Sequence, residues 1–141
     1  SYIFIDCPPS LSLLTIMSLV AAVSLIVPLQ AEFFALEGLS QLMKTIDRVK
    51  VNLNPKLEIR GVLLTMFDRR NKLSAQVDAE ARKFLEAKVY KTVIPRNVRL
   101  SEAPSHGIPI LIYDKFCAGS KSYSSFADEF LKQENVIESA A

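Results

Sequence analysis

The chain has 141 residues, half of them hydrophobic and 23% charged, which suits one globular domain with a core and argues against disorder along its length. Its formal net charge of +2 decides nothing about a nucleic-acid partner. Two cysteines, Cys7 and Cys117, and one histidine, His106, stand in no metal-ligand spacing, which argues against a zinc site or a disulfide framework and leaves a reducing cytosol as the default.

Tyr2-Ile3-Phe4-Ile5 is a short apolar run that reads as a buried strand, and the chain opens inside it, as a segment entered mid-domain would. Pro8-Pro9-Ser10 is a turn, with Ser10 placed to cap the next helix. Leu11 to Ala22 is apolar nearly all round, which predicts a buried helix. Val23 to Leu29 reads as a strand ending near Pro28. No charged residue occurs from Cys7 to Ala31, a length that would suit a membrane span. Pro8, Pro9 and Pro28 break that run, and its pattern changes from helical to strand-like, so a buried helix followed by a buried strand fits better. No basic n-region marks a signal peptide.

Leu36, Leu39, Met43, Ile46 and Val49 recur at helical spacing and predict an amphipathic helix to about Val51, ended by Asn52, Asn54 and Pro55. Ile59 to Phe67 is the next strand, followed by the polar loop Asp68-Arg69-Arg70-Asn71. Leu73, Val77, Ala81, Phe84 and Leu85 mark a helix to about Ala87, and Val89 to Ile94 is a short strand stopped by Pro95. Arg96 to Gly107 reads as a loop and Ile108 to Ile112 as a short strand or extended segment. Tyr123, Phe126, Ala127, Phe130 and Leu131 mark a last helix. These alternating elements predict an α/β fold, a mostly parallel sheet with helices on both faces, as one domain over residues 1–132. The tail over 133–141 has little to bury and is expected to fray.

In such sheets ligands bind beyond the carboxyl ends of strands. Three polar clusters fall there: Asp6, Asp68 to Asn71, and Arg96-Asn97. A carboxylate at a strand end is how P-loop NTPases hold magnesium, and it is equally a way to cap a helix. Residues 60 to 100 carry ten lysines and arginines against four acids, while the rest of the chain has four more acids than bases. That basic middle fits a polyanion-facing surface or a solvated helix face.

Longer motifs are more specific. Tyr2-Ile3-Phe4-Ile5-Asp6-Cys7-Pro8-Pro9-Ser10-Leu11 resembles the Walker B segment of ParA, Soj and MinD ATPases, whose aspartate is followed by x-Pro-Pro. The stretch from Val27-Pro28-Leu29-Gln30 to Glu37-Gly38-Leu39 is similar to the segment that follows in ParA and Soj. The stretch Thr92-Val93-Ile94-Pro95-Arg96-Asn97-Val98-Arg99 to His106-Gly107 is a third match, which MinD lacks in this form. The resemblance reaches to about Leu131 and is to the ParA/Soj family of chromosome-partitioning ATPases, with a partial P-loop NTPase-like fold.

The resemblance implies Asp6 as the catalytic and magnesium-binding aspartate. It puts Pro95, Arg96 and Asn97 beside the adenine of ATP, with Met66 and Phe67 near the base. It implies a homodimer that binds DNA without sequence preference through arginines falling at Arg70 and Arg99, a ParB-type partner, and a cytoplasmic, nucleoid-associated place with no membrane attachment. Arginine suits the task, since its fork reaches phosphate oxygens bidentately. Arg69, Lys72 and Arg96 are neighbours that either add to this patch or merely solvate the surface. Gln30 and Glu32 are candidates for the nucleotide or dimer interface, whereas His106 reads as a turn residue, Cys7 as buried packing and Tyr113 as core.

The chain departs from the family in one large respect. It has neither G-x-x-x-x-G-K-[ST] nor the lysine-rich variant of that phosphate-binding Walker A loop, and its only glycines are Gly38, Gly61, Gly107 and Gly119. Without a nest of backbone N–H groups and a lysine, nothing grips the phosphates. The expectation is the C-terminal portion of such an ATPase, holding ATP and Mg2+ weakly and hydrolysing nothing by itself. The alternatives are an inactive DNA-binding remnant and a MinD-like membrane ATPase. The acidic tail Glu134-Asn135-Val136-Ile137-Glu138 counts against the last, since membrane relatives end in a basic amphipathic helix.

Overall fold

The computed structural model describes residues 2–8 and 12–140, with side chains described as far as Asn135. Its order is α1 (Leu13–Ala21), β1 (Ser24–Gln30), α2 (Ala35–Asn52), β2 (Glu58–Thr65), α3 (Lys72–Leu85), α4 (Val98–Glu102), α5 (Ile110–Tyr113) and α6 (Ala118–Ala140). Strands β1 and β2 pair in parallel from Ser24↔Glu58 to Gln30↔Thr65, joined by the crossover helix that parallel neighbours require. The register slips by one residue between Leu25 and Ile26, which leaves Arg60 as an extra residue in β2.

Alternation along β2 builds a core on each face. Val62 and Leu64 join Val27 and Leu29 of β1, Leu39 of α2 and Val77, Ala81 and Leu85 of α3 in one cluster. Leu63 points the other way and joins Tyr90 and Ile94, with Phe126 and Phe130 of α6 packed against them. Gly61 lies under the Tyr90 ring, where a side-chain carbon would collide with Tyr90 Cε2, so the close approach requires glycine. The expected sheet covered by helices on both faces is thus present.

The segment from Val89 to Pro95 runs beside β2 as an incomplete third strand. Tyr90 N–H donates to the Val62 carbonyl at 3.0 Å and Ile94 N–H to the Leu64 carbonyl at 2.8 Å. Parallel bridges join Val62 to Val89 and Phe67 to Pro95. On its other side, Glu129 of α6 accepts from the N–H groups of Lys91 at 2.7 Å and Thr92 at 2.8 Å, and so caps an edge that would otherwise lack partners.

Several expectations are corrected. Tyr2–Ile5 forms no strand: among the described residues no ladder partner reaches it, and Tyr2 and Phe4 rest instead against Phe130, with ring centroids 5.4 and 6.2 Å away. Cys7 is exposed rather than buried, since it rides on the same unpaired segment. Helix α1 is not buried all round, for only Thr15 and Leu19 are covered while Leu13, Leu14 and Met17 face outward. The expected cap Ser10, with Leu11, lies outside the described residues. Strand β1 continues through Pro28 to Gln30.

The stretch read as a loop from Arg96 to Gly107 contains α4, which Asn97 starts by accepting from Arg99 N–H at 2.9 Å, and a 3-10 turn, Ala103–His106. The stretch 108–112 enters helix α5, not a strand, with Pro109 at its N-cap. Helix α6 runs through the expected frayed tail to Ala140, and Arg60 Nε stands 2.9 Å from Glu134 Oε1 as a tertiary anchor beyond Leu131. The long uncharged run divides into α1 and β1, and no helix among the described residues is long and apolar enough to cross a membrane.

Candidate functional site

The carboxyl ends of β1, β2 and the Val89–Pro95 segment form one rim. Beyond Thr65, Met66 takes a left-handed conformation with φ 52°, uncommon for a residue with a side chain. It is held from both sides: Ala31 N–H donates to the Thr65 carbonyl at 3.0 Å, and Phe67 N–H donates to the Ile94 carbonyl at 3.0 Å. Arg96 N–H then returns to the Phe67 carbonyl at 3.0 Å. Of the residues singled out from the sequence, Met66, Phe67, Pro95, Arg96 and Asn97 are therefore brought together. A backbone turned out of its ordinary range at a strand end is a pointer to a site, and one that costs on the order of 1 kcal/mol or more to hold.

Asp68 follows this turn. Its Oδ1 accepts from Arg70 N–H at 3.0 Å and from Arg70 Nε at 3.2 Å, and its Oδ2 accepts from Arg70 Nη2 at 3.2 Å. These bonds hold the Asp68 carboxyl below the usual carboxylate range, with the nearby Arg96 charge adding to the effect, and Asp68 in turn raises Arg70. Asn71 starts α3 by accepting from Leu73 N–H at 2.9 Å. Asn71 also shares a groove of about 600 Å³ with Gln30, Glu32, Phe33 and Phe34, so the residues that follow β1 meet those that follow β2. The Ser74 hydroxyl donates to the buried Ala31 carbonyl at 3.1 Å and ties α3 to that groove.

Arg99 lies one turn beyond the rim, on α4. Its Nη1 donates to Glu102 Oε2 at 2.9 Å, and its Nε stands 3.6 Å from Asp114 Oδ2. The Tyr113 hydroxyl donates to the same Glu102 oxygen at 3.0 Å, so Tyr113 is a half-buried positioning group and not plain core. Arg99 first, then Tyr113, lowers Glu102, while Glu102 raises Arg99. His106 is in the 3-10 turn, as a turn residue would be, and stacks on Tyr113 with centroids 5.0 Å apart. Asp68 was singled out from the sequence only as a member of its polar cluster and Glu102 and Asp114 not at all, and none of them was read as a partner of the arginines.

Asp6 is not joined to this rim by a strand. It is an exposed carboxylate on the unpaired segment 2–8. Magnesium takes one or two protein carboxylates together with substrate phosphates, so Asp6 could serve only where a phosphate grip stands opposite it. The chain has no glycine-lysine loop, and among the described residues no three of His, Cys, Asp and Glu gather at one place. The residues present do not by themselves fit the phosphates and metal of a nucleotide.

The pattern of the AAA domain family matches residues 1–59. Chromosome partitioning protein ParA of Caulobacter vibrioides (strain NA1000 / CB15N) is 59% identical over 134 residues, 95% of this chain and 50% of that protein. Sporulation initiation inhibitor protein Soj of Bacillus subtilis (strain 168) is 58% identical over 128 residues, 91% of this chain and 51% of that protein. Among solved structures, cobyrinic acid a,c-diamide synthase from Mycobacterium smegmatis with bound ADP and magnesium superposes with a TM-score of 0.72 at 34% identity, over 92% of this chain and 46% of that one.

The parallel strands, the rim at their carboxyl ends and this likeness define an α/β protein of the P-loop ATPase type. Within that class the chain belongs to the ParA/Soj group of chromosome-partitioning ATPases. It spans about half the length of the curated relatives it matches.

Proposed function

We propose that the chain works as the base-holding and DNA-facing half of a ParA-type ATPase in chromosome or plasmid partitioning. Phe67 and Pro95, with Met66, Arg96 and Asn97 around them, offer a half-buried ledge and backbone polar groups to an adenine. The phosphates and Mg2+ of ATP are gripped mainly by the part of the relatives that this chain does not span, with Asp6 brought opposite them as metal ligand. The complete protein dimerises, answers to a ParB-type partner and sits on nucleoid DNA in the cytoplasm. Arg70 and Arg99 contact DNA phosphates, which gives binding that is indifferent to sequence and sensitive to salt.

The observation that carries this reading is the Phe67–Pro95 bridge with its Arg96-to-Phe67 hydrogen bond, which brings the Met66–Arg70 turn and the Pro95–Arg99 segment to one rim of a ParA-like chain. The test is retention of the full chain on a mixed-sequence DNA matrix at low salt. The Arg70→Ala/Arg99→Ala double variant is expected to elute at clearly lower salt, on all sequences alike. Elution unchanged from the parent would remove the DNA assignment.

A further inference from the structure

The two arginines assigned to DNA are not idle. Each is held by a carboxylate of its own neighbourhood, in the geometry a phosphate would use. Asp68 presents both oxygens to the Nε and Nη2 of Arg70 at 3.2 Å each, the fork-to-fork pairing typical of arginine with carboxylate or phosphate. Glu102 presents Oε2 to Arg99 Nη1 at 2.9 Å, and Asp114 adds a second charge on the Nε side. The Tyr113 hydroxyl holds Glu102 in place, so that pair is braced from a second element.

We propose that Asp68 and Glu102 are internal rivals of the DNA phosphates, each occupying one arginine until a phosphate displaces it. This rests on the DNA reading given above. The exchange is cheap at both sites because both pairs stand in water: the Arg70 side chain is 91% exposed and that of Arg99 54%. Exposed ion pairs are weak and screened by salt, so a phosphate arriving with many neighbours of its own sign can replace a single carboxylate. Such rivalry lowers affinity at each contact. The braced Arg99 pair is the harder of the two to open.

The test is a double-mutant cycle on binding of a labelled random-sequence duplex by the full chain at low salt. Asp68→Asn keeps an oxygen for the Arg70 N–H, so the turn is preserved while the rival charge is gone. It is expected to bind about two- to fivefold tighter. In an Arg70→Ala background the same change is expected to bring no gain. Glu102→Gln is expected to behave in the same way toward Arg99→Ala. An equal gain with and without the arginine would mean that only overall charge matters and would overturn the proposal, as would no gain in Asp68→Asn. Asp68→Ser, whose hydroxyl also accepts from the turn, is the second variant should Asp68→Asn not fold. If Arg70→Ala alone leaves affinity unchanged, the DNA reading itself falls and the proposal goes with it.

Discussion

The rim beyond β2 and the amino-terminal arm made of residues 2–8 and α1 each set polar residues beside an apolar run, yet they are held very differently. At the rim, Thr65, Phe67, Ile94 and Arg96 take part in successive backbone hydrogen bonds, and Asn71 and Asn97 start the helices that lead away. In the arm, Ile3 is 93% exposed, and α1 turns Leu13, Leu14 and Met17 outward. A polar residue is therefore fixed by the backbone neighbours of its strand and not by the hydrophobicity of the run that precedes it. Asp68 and Arg70 have such neighbours, and Asp6 does not.

The same substitution should read out this contrast. Leu64→Ala removes a fully buried side chain beneath the rim and is expected to cost about 2–5 kcal/mol of stability in chemical denaturation, whereas Leu14→Ala in the arm should stay within about 0.5 kcal/mol. Equal losses would erase the distinction. Next in size is Glu129→Ala, which strips the carboxylate from the N–H groups of Lys91 and Thr92 and is expected to cost about 1–3 kcal/mol.

The same contact predicts a pH dependence. Glu129 is held below its ordinary value of 4.5 by the hydrogen bonds of Thr92 and Lys91, which outweigh the opposing effect of burial. Its stabilising contribution is complete above that value and is lost as pH falls through the lower folded-state value, which acid titration of the folded chain and of Glu129→Gln would register. A smaller loss than that of Glu129→Ala is expected for Asn54→Ala. The Asn54 amide donates to the carbonyls of Leu19, Val20 and Ala22 and ties down the end of α1, so about 1 kcal/mol and faster amide exchange confined to α1 are expected.

Periodicity made α2 and α3 legible, since Leu39, Ile46 and Val49, and Val77, Ala81 and Leu85, are buried at the spacing a helix requires. The ladder of β2 was legible from its central apolar run. Helix α4 was not, because Leu100 gains its support from Gly119, far along the chain, where a side-chain carbon would meet Leu100 Cγ at 2.6 Å. Tyr2–Ile5 misled for the opposite reason: the run has the composition of a strand, and no ladder among the described residues reaches it. At the site, the segments that meet at the rim, Met66–Phe67 and Pro95–Asn97, were singled out from their motif. The left-handed Met66 carries no glycine to announce it, and the carboxylates that hold Arg70 and Arg99 become visible only as distances.

The salt dependence of DNA affinity tests the central claim most directly, because it counts phosphates and not stability. Each phosphate contact contributes a slope of about −0.9 to log affinity against log salt. The account predicts that replacing Arg70 and Arg99 together by alanine flattens that slope by about 2 for a folded chain. A slope identical to the parent's, whatever the change in affinity at one salt, would mean that neither guanidinium meets a phosphate.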